Sequence, residues 1–414
     1  MRHKKALMKK VLMPTVILVL FSVWLPAENI SEKIRLNGFL SQGYIYTSDN
    51  DFIPGTSKNG SFEMSEFGLT FSVDLTDQLR FGLQFLARDF GPIGDHQIEL
   101  DWGFAEYRPA RFFAIRAGKI KTPIGLYNEF RDTDALHPLA ILPQSIYDEA
   151  MRGAFIAYNG FGLSGDFPIG PLGTFDYNVF TGTVNHPEDA PYITQIQLAI
   201  NQGLQEFGLG ISPIDMHTEL FFGTRFIWNA PLAGLRFGGT YLHLEGKYDS
   251  LLSDPLGNIS PISGKMEIKN GIFLFGELAL GGLTLASEYM ELPVDIYLDF
   301  FGQEMLLSDE VMQGWYVMLS YTFGDKLTLS ALYDRFYADK GDSDGQGAMK
   351  MGYPNYFGWQ KDFAFGIRYD INFNWTIKLE WHAIDGLAKS YVFADIYDTK
   401  RKWNMIVAKT SFNF

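Results

Sequence analysis

Basic side chains recur at alternate positions in segments whose other face is apolar. From Leu79 to Phe90, Arg80 and Arg88 share a face with Gly82 and Gln84, while Leu79, Phe81, Leu83, Phe85 and Ala87 fill the other. The same parity collects Arg35, Arg80, Arg88, Arg116, Arg225, Arg236, Arg368 and Lys378, with Glu66, Glu99, Asp101, Glu288 and Glu380 among them. Arginines and lysines spaced in this way have a use that requires neither a nucleophile nor a proton relay. Ranged along a water-filled wall, they replace part of an anion's lost hydration and select for anions. The alternative is that each charge is paired and braces its surroundings, because buried charges are usually paired.

Other chemistries find little here. Cysteine is absent (Cys 0), which excludes thiol redox catalysis and a disulfide framework. There is no Gly-x-Ser-x-Gly elbow, and no Ser/His/Asp set is visible, although triads assemble in space. His96, His137, His186, His217, His243 and His382 lack metal-ligand spacing. Asp339, Asp342 and Asp344 precede Gly345, but the calcium-loop register puts Lys340 and Met351 where oxygen ligands belong. No catalytic residue, metal or cofactor is therefore expected. With a formal net charge of −14 and no basic cluster, nucleic acid is not an expected partner either.

Strands must position the charged faces. The chain is 16% aromatic, with 36 Phe, 21 Tyr and 42 Gly, a mixture that suits strands with aromatic outer faces and glycine where the backbone bends. Gly60 to Leu75 alternates like 79–90, and so do 33–47, 98–107, 111–119, 153–167, 173–183, 218–229, 234–247, 264–280, 283–292, 311–323, 326–338, 357–370, 373–385 and 400–414, giving sixteen strands. Short connections (Thr76–Gln78, Arg108–Ala110, Pro168–Leu172, Ala230–Ala233, Gly281–Gly282, Gly324–Asp325, Ile371–Asn372) alternate with longer ones near 48–59, 91–95, 120–152, 184–217, 248–263, 293–310, 339–356 and 386–399. An even antiparallel set with short turns at one end and longer loops at the other is the plan of a transmembrane β-barrel. Trp102, Trp228, Trp315, Trp375 and Trp403 are expected in the aromatic girdles of such a barrel. The leader fits too: a basic start, an apolar run from Val11 to Leu25 and Ala27 read as a signal peptide over 1–27, leaving 28–414 as the barrel. The final segment, WNMIVAKTSFNF, ends in Phe414 with Phe412 on the same face, which resembles the signature read by the bacterial outer-membrane assembly machinery.

One stretch breaks the rhythm. Residues 120–152 are too long and too apolar for an ordinary surface loop. Sixteen strands enclose a channel that side chains alone do not fill, so this third long loop is expected to fold inward, apolar residues on the wall and polar ones narrowing the pore. Thr133 and Pro143 are placed to open short helical turns within it. Glu129, Asp132, Asp134, Asp148 and Glu149 stand there beside Lys119, Lys121, Arg131 and Arg152. In the 184–217 loop, residues 193–208 have helix-like apolar spacing, fit to plug, cap or contact a neighbouring subunit.

The start of this stretch, with Gly118, Lys121, Pro123 and Gly125 as Gly-x-x-Lys-x-Pro-x-Gly, resembles the phosphate-selective porin family, which includes the polyphosphate-selective porins and related trimeric channels. The resemblance implies a homotrimer of sixteen-stranded barrels in a Gram-negative outer membrane, with the third loop constricting each pore. Together these readings give an all-β, 16-stranded antiparallel transmembrane β-barrel with an inward-folded third loop. It is expected to pass small hydrophilic solutes passively, with a preference for phosphate-type anions, in contact with lipopolysaccharide. Arg35, Arg80, Arg88, Glu99, Asp101, Arg116, Lys121, Arg131, Arg225, Arg368 and Lys378 are the expected pore-lining residues. The rival readings are a barrel enzyme of lipase or protease type and a non-conducting structural barrel.

Overall fold

The computed structural model describes residues 33–53, 57–91, 93–187, 190–204, 207–300, 302–390 and 398–414. The expected leader lies outside these residues. The first half of the chain supplies β1 (Ile34–Thr47), β2 (Ser65–Asp74), β3 (Leu79–Asp89), β4 (Glu99–Ala110), β5 (Phe113–Lys121), β6 (Ala157–Pro168), β7 (Thr174–Thr183) and β8 (Gly210–Asn229). The second half supplies β9 (Leu235–Ser253), β10 (Ile259–Leu280), β11 (Leu283–Phe300), β12 (Gln303–Phe323), β13 (Leu327–Tyr337), β14 (Trp359–Asn372), β15 (Trp375–Gly386) and β16 (Lys402–Asn413). Each pairs antiparallel with the next, and β1 pairs with β16, from Phe39 opposite Asn413 to Thr47 opposite Met405. Closure leaves the ring without an edge strand; Gly210–Leu220 of β8 and Gln303–Met312 of β12 rise beyond their β7 and β13 neighbours.

The period-two alternation turns one face outward and the other into the lumen. Phe67, Phe85, Phe161, Phe365 and Leu379 point outward and are 40% to 61% exposed, whereas Gln84, Asp101, Lys378 and Glu380 are buried within the ring. A continuous exposed apolar belt would be unstable in water and suits lipid. No described helix is long and apolar enough to cross a membrane.

Several boundaries differ from the sequence reading. The connections expected over 248–263 and 293–310 are mostly strand: Ser253 pairs with Ile259, and Phe300 with Gln303, so β9–β10 and β11–β12 form tall hairpins. Pairing continues there because each strand offers the other a full ladder of backbone partners. Arg108–Ala110 belongs to β4, and the chain turns immediately after it. A register shift in β4 between the Gln84–Trp102 and Phe85–Leu100 pairs inserts one extra residue. This bulge reverses parity, so Trp102 and Phe104 face the lumen instead of a girdle, and Glu106 joins them opposite Arg80. Trp403 is also internal, 2% exposed, with its indole N–H donating to the Gly386 carbonyl at 3.1 Å. Trp228 and Trp375 do lie outward, at the short-turn end.

The lumen is not lined uniformly. On the side of β8 to β11, Phe221, Leu242, Leu244, Met266, Ile268, Met290 and Leu292 form an apolar inner wall. It is covered by the inward loop and by the helix Pro191–Leu204, whose Tyr192, Ile193, Ile200 and Leu204 are buried against it. The helix-like spacing seen in the sequence thus makes an amphipathic helix that packs on the wall.

Candidate functional site

The inward segment leaves β5 at Lys121 and rejoins β6 at Ala157, with single turns at Asn128–Phe130 and Asp134–Leu136 and a short helix at Arg152–Phe155. Two glycines of the motif make its entry possible. Gly118 has φ +135°, and a Cβ there would lie 2.3 Å from the Gly103 carbonyl oxygen of β4. Gly125 has φ +57°, and its Cβ would lie 2.2 Å from the Glu288 carboxylate and 2.5 Å from the Tyr147 hydroxyl. Both positions therefore require glycine. The Pro123 carbonyl accepts a hydrogen bond from Thr240 Oγ1 of β9 at 2.9 Å.

From there the loop is bonded to strands around most of the ring. Arg152 donates to Asp101 of β4 at 2.9 Å and to Asp132 at 2.6 Å; Lys121 bonds Asp132, and Gln84 of β3 donates to both carboxylates. Burial pushes the Asp132 carboxyl up, but Lys121 and Arg152 outweigh it and hold the group well below the usual carboxylate range. Asp134 lies between Lys378 of β15 at 2.9 Å and Lys409 of β16 at 3.3 Å and accepts from Ser411. Burial raises that carboxyl as well, and the two lysines again bring it down. Lys378 also donates to the Leu139 carbonyl at 3.0 Å, and Arg368 of β14 to those of Ala135 at 2.6 Å and His137 at 3.0 Å. Farther round, Glu380 accepts from the Ala140 and Ile141 amides, Asp334 of β13 from Ser145 N, and Glu288 of β11 from the hydroxyls of Tyr147 and Tyr316, each at 2.6 Å.

Glu149 completes the set. Its carboxylate is 2.7 Å from Arg131 of the loop and 3.1 Å from Arg88 of β3. Burial pushes it up, and these arginines bring it down to about 2, so it is an anion at any physiological pH. β3 and β11 stand on opposite sides of the closed ring. Residues Tyr147 to Glu149, fixed to Glu288 at one end and Arg88 at the other, therefore form a strut across the lumen.

Two recesses open on the short-turn side of the loop. One, of about 680 Å³, is lined by residues including Asn37, Gln84, Thr133, Arg368 and Phe414. The other, of about 510 Å³, is lined by Arg108, Arg116, Glu129, Asp176, Arg225 and Asn229 among others. On the long-loop side, Phe52 and Ile53 pack with Ile141, Trp403 and Met405.

The expected pore-lining residues thus divide. Asp101, Lys121 and Arg88, Arg131 meet in the two clusters described; Arg368 and Lys378 hold the Asp134 turn. Arg225 pairs with Glu129, and Arg116 lies 2.5 Å from Glu106 with its guanidinium over the Phe104 ring. Arg35 and Arg80 face Asp74 near the short-turn rim, at 2.6 and 3.9 Å. Glu99 is exposed at the start of β4 and takes no part. The inner face carries more acid than the parity set from Arg35 to Lys378 includes: Asp74, Glu106, Glu277, Asp334, Asp362 and Asp370 also face inward and stand outside that set. The bulge hid Glu106; parity alone placed the others, and Lys409 with them.

Among the described residues, one serine–imidazole pair bears on catalysis; His186 bonds the Thr218 and Tyr192 hydroxyls instead, at 2.7 and 2.9 Å. Ser65 Oγ is 3.0 Å from His96 Nε2, but His96 Nδ1 is 3.9 Å from Asp89 and the ring is 63% exposed. Without a hydrogen bond to orient the imidazole, the pair lacks what a triad needs.

No family model and no curated protein matches the sequence. Solved structures do. The OmpF of Salmonella typhi in complex with daunomycin superposes with a TM-score of 0.53 at 12% identity, over 92% of this chain and 97% of that one. The fold is that of the outer-membrane porins. The anion-selective porin of Comamonas acidovorans gives 0.53 at 11% identity, covering 92% and 99%, and the outer-membrane channel DcaP of Acinetobacter baumannii 0.52 at 11%, covering 92% and 97%. In porin terms, the segment 122–156 is the inward third loop, here bonded to the wall on opposite sides.

Proposed function

We propose that the protein is an outer-membrane porin that passes small hydrophilic solutes by passive diffusion, with the third loop setting the conducting cross-section. The observation that carries this reading is a closed barrel, apolar outside, whose lumen holds a polar, ion-paired loop with open recesses beneath it. An apolar belt needs lipid, and a sixteen-stranded ring is wide enough for an aqueous path. Export through the signal peptide, contact with lipopolysaccharide and a homotrimeric state belong to the same proposal, which draws on the leader, the terminal Phe414 and the family resemblance.

The preference for anions is kept as a mild one. Paired arginines such as Arg35 with Asp74 and Arg116 with Glu106 cancel much of each other's field. The motif 118–125 supports a likeness to phosphate-type porins, yet its glycines serve loop entry, so the solute class rests on the charges of the constriction. Reconstitution in planar bilayers tests the reading: stepwise conductance is expected, with a reversal potential of mildly anionic sign under a salt gradient. A folded barrel that never conducts overturns the channel, and cation selectivity overturns the anion preference. Ser65→Ala without effect on any ester hydrolysis by the purified protein is the expected outcome against the enzyme reading.

A further inference from the structure

Arg88 is 4% exposed, and its Nε and both Nη atoms have no hydrogen-bond partner among the described residues, although Glu149 approaches to 3.1 Å. A buried guanidinium with five N–H groups and one misaligned carboxylate is an expensive arrangement for a residue that only braces a loop. Arg131, whose Nε is also without a partner, faces the same carboxylate. Arg131 reaches the carboxylate through an Nη2 that also donates to the Tyr147 and Asp148 carbonyls, while the donors of Arg88 stand unused beside it; two guanidinium groups converging on one carboxylate supply the donors that a planar oxyanion takes.

Resting on the porin reading, we infer that Arg88 and Arg131 form the binding site for the carboxylate of a passing solute, and that Glu149 fills it in the absence of solute as a built-in surrogate. A solute carboxylate exchanges with Glu149, takes up the unused donors of Arg88, and frees the Arg88 end of the strut. The loop then remains attached through Tyr147 and Glu288, through Lys389 on Asp148 and through Gln84 on Asp132, so only the stretch around Glu149 yields and the passage widens there without undoing the whole segment. The swap exchanges one carboxylate for another and leaves the number of ion pairs unchanged, which is what allows weak, millimolar solutes to drive it.

The test uses the full-length protein in planar bilayers in potassium chloride, with acetate added at constant ionic strength. For the unaltered protein a saturable rise in conductance with acetate is expected. Arg88→Gln should abolish that rise. Glu149→Gln should conduct as if already released, be insensitive to acetate, and show a chloride-to-potassium permeability ratio raised at least about threefold by loss of a negative charge near the path. Folding of each variant is checked by its heat-dependent shift in gel mobility; should Glu149→Gln not fold, the loss of the acetate response in Arg88→Gln decides alone. An acetate response equal in Arg88→Gln and the unaltered protein overturns the site. A response to inorganic phosphate with none to acetate overturns the carboxylate assignment. Channels that conduct but ignore acetate sink this inference only, whereas folded barrels that never conduct sink the porin reading beneath it.

Discussion

Lowering the pH should loosen the third loop, and His137 sets where this begins. The imidazole is 2% exposed, its Nε2 has no hydrogen-bond partner among the described residues, and the Tyr127 ring lies edge-on at 5.5 Å. Burial disfavours its charged form, and Lys378 and Lys409 from β15 and β16 oppose it further; Asp134 and Asp132 of the loop only partly compensate, and the pKa falls to about 3. Arg368 of β14 faces it too, through the His137 carbonyl. A released His137 binds a proton below its ordinary 6.5, so between these values the released loop holds more protons than the docked one. Docking therefore weakens as pH falls, by about 1.4 kcal/mol per unit. At pH 5 the loss is about 2 kcal/mol, roughly a 30-fold shift toward the released loop. Below about pH 4 the Asp132 and Asp134 carboxylates, whose stabilising contribution is present only while they are ionised, add to the loss. Single-channel recordings from pH 7.5 to 4.5 should show rising conductance or open-state noise, and His137→Asn should remove the portion between pH 6.5 and 4.5. Identical pH profiles for the two proteins would refute the assignment of the effect to His137.

Other outcomes follow from single contacts. Asp134→Asn leaves the buried Lys378 without a carboxylate and Lys409 with Glu66 alone, and should weaken loop docking by about 3–5 kcal/mol, read as faster amide exchange over 128–142 with the barrel's heat-dependent gel shift retained. Gly125→Ala forces a side chain into the space of the Glu288 carboxylate at positive φ; a loss of about 1–3 kcal/mol or more is expected, seen as protease cleavage within 122–156. Ile193→Asp with Ile200→Asp should detach the helix Pro191–Leu204 from the inner wall, and conductance should rise while thermal stability of the barrel stays nearly unchanged.

The sequence made the barrel legible because a strand with lipid on one side and water or protein on the other writes its geometry into every second residue. Residues 79–90 suffice to show it. The inward loop was legible for a related reason: Ile120, Leu126, Leu139 and Ile141 need a surface, and only the lumen offers one. The Trp102 error had another origin, since one inserted residue changes no composition and leaves a locally plausible alternation on both sides of it. The tall hairpins escaped notice because Asp249, Pro261 and Ser263 in one, and Asp295, Asp299, Glu304 and Asp309 in the other, give those stretches the composition of loops, while backbone pairing carries on beneath. The partners of Arg88, Arg225 and Lys378 lie on a loop whose path is fixed by many contacts at once, and periodicity along one strand holds no record of them.

The strut from Arg88 through Glu149 and Tyr147 to Glu288 also has a mechanical meaning. A sixteen-stranded ring without contents is an elastic hoop, free to flatten into an oval because hydrogen-bonded strands bend against one another at little expense. A tie across the diameter converts the hoop into a spoked wheel. Cutting the tie at Glu149 would soften the ring as well as widen the passage, so pressure from the surrounding bilayer and occupancy of the lumen would act on the same deformation.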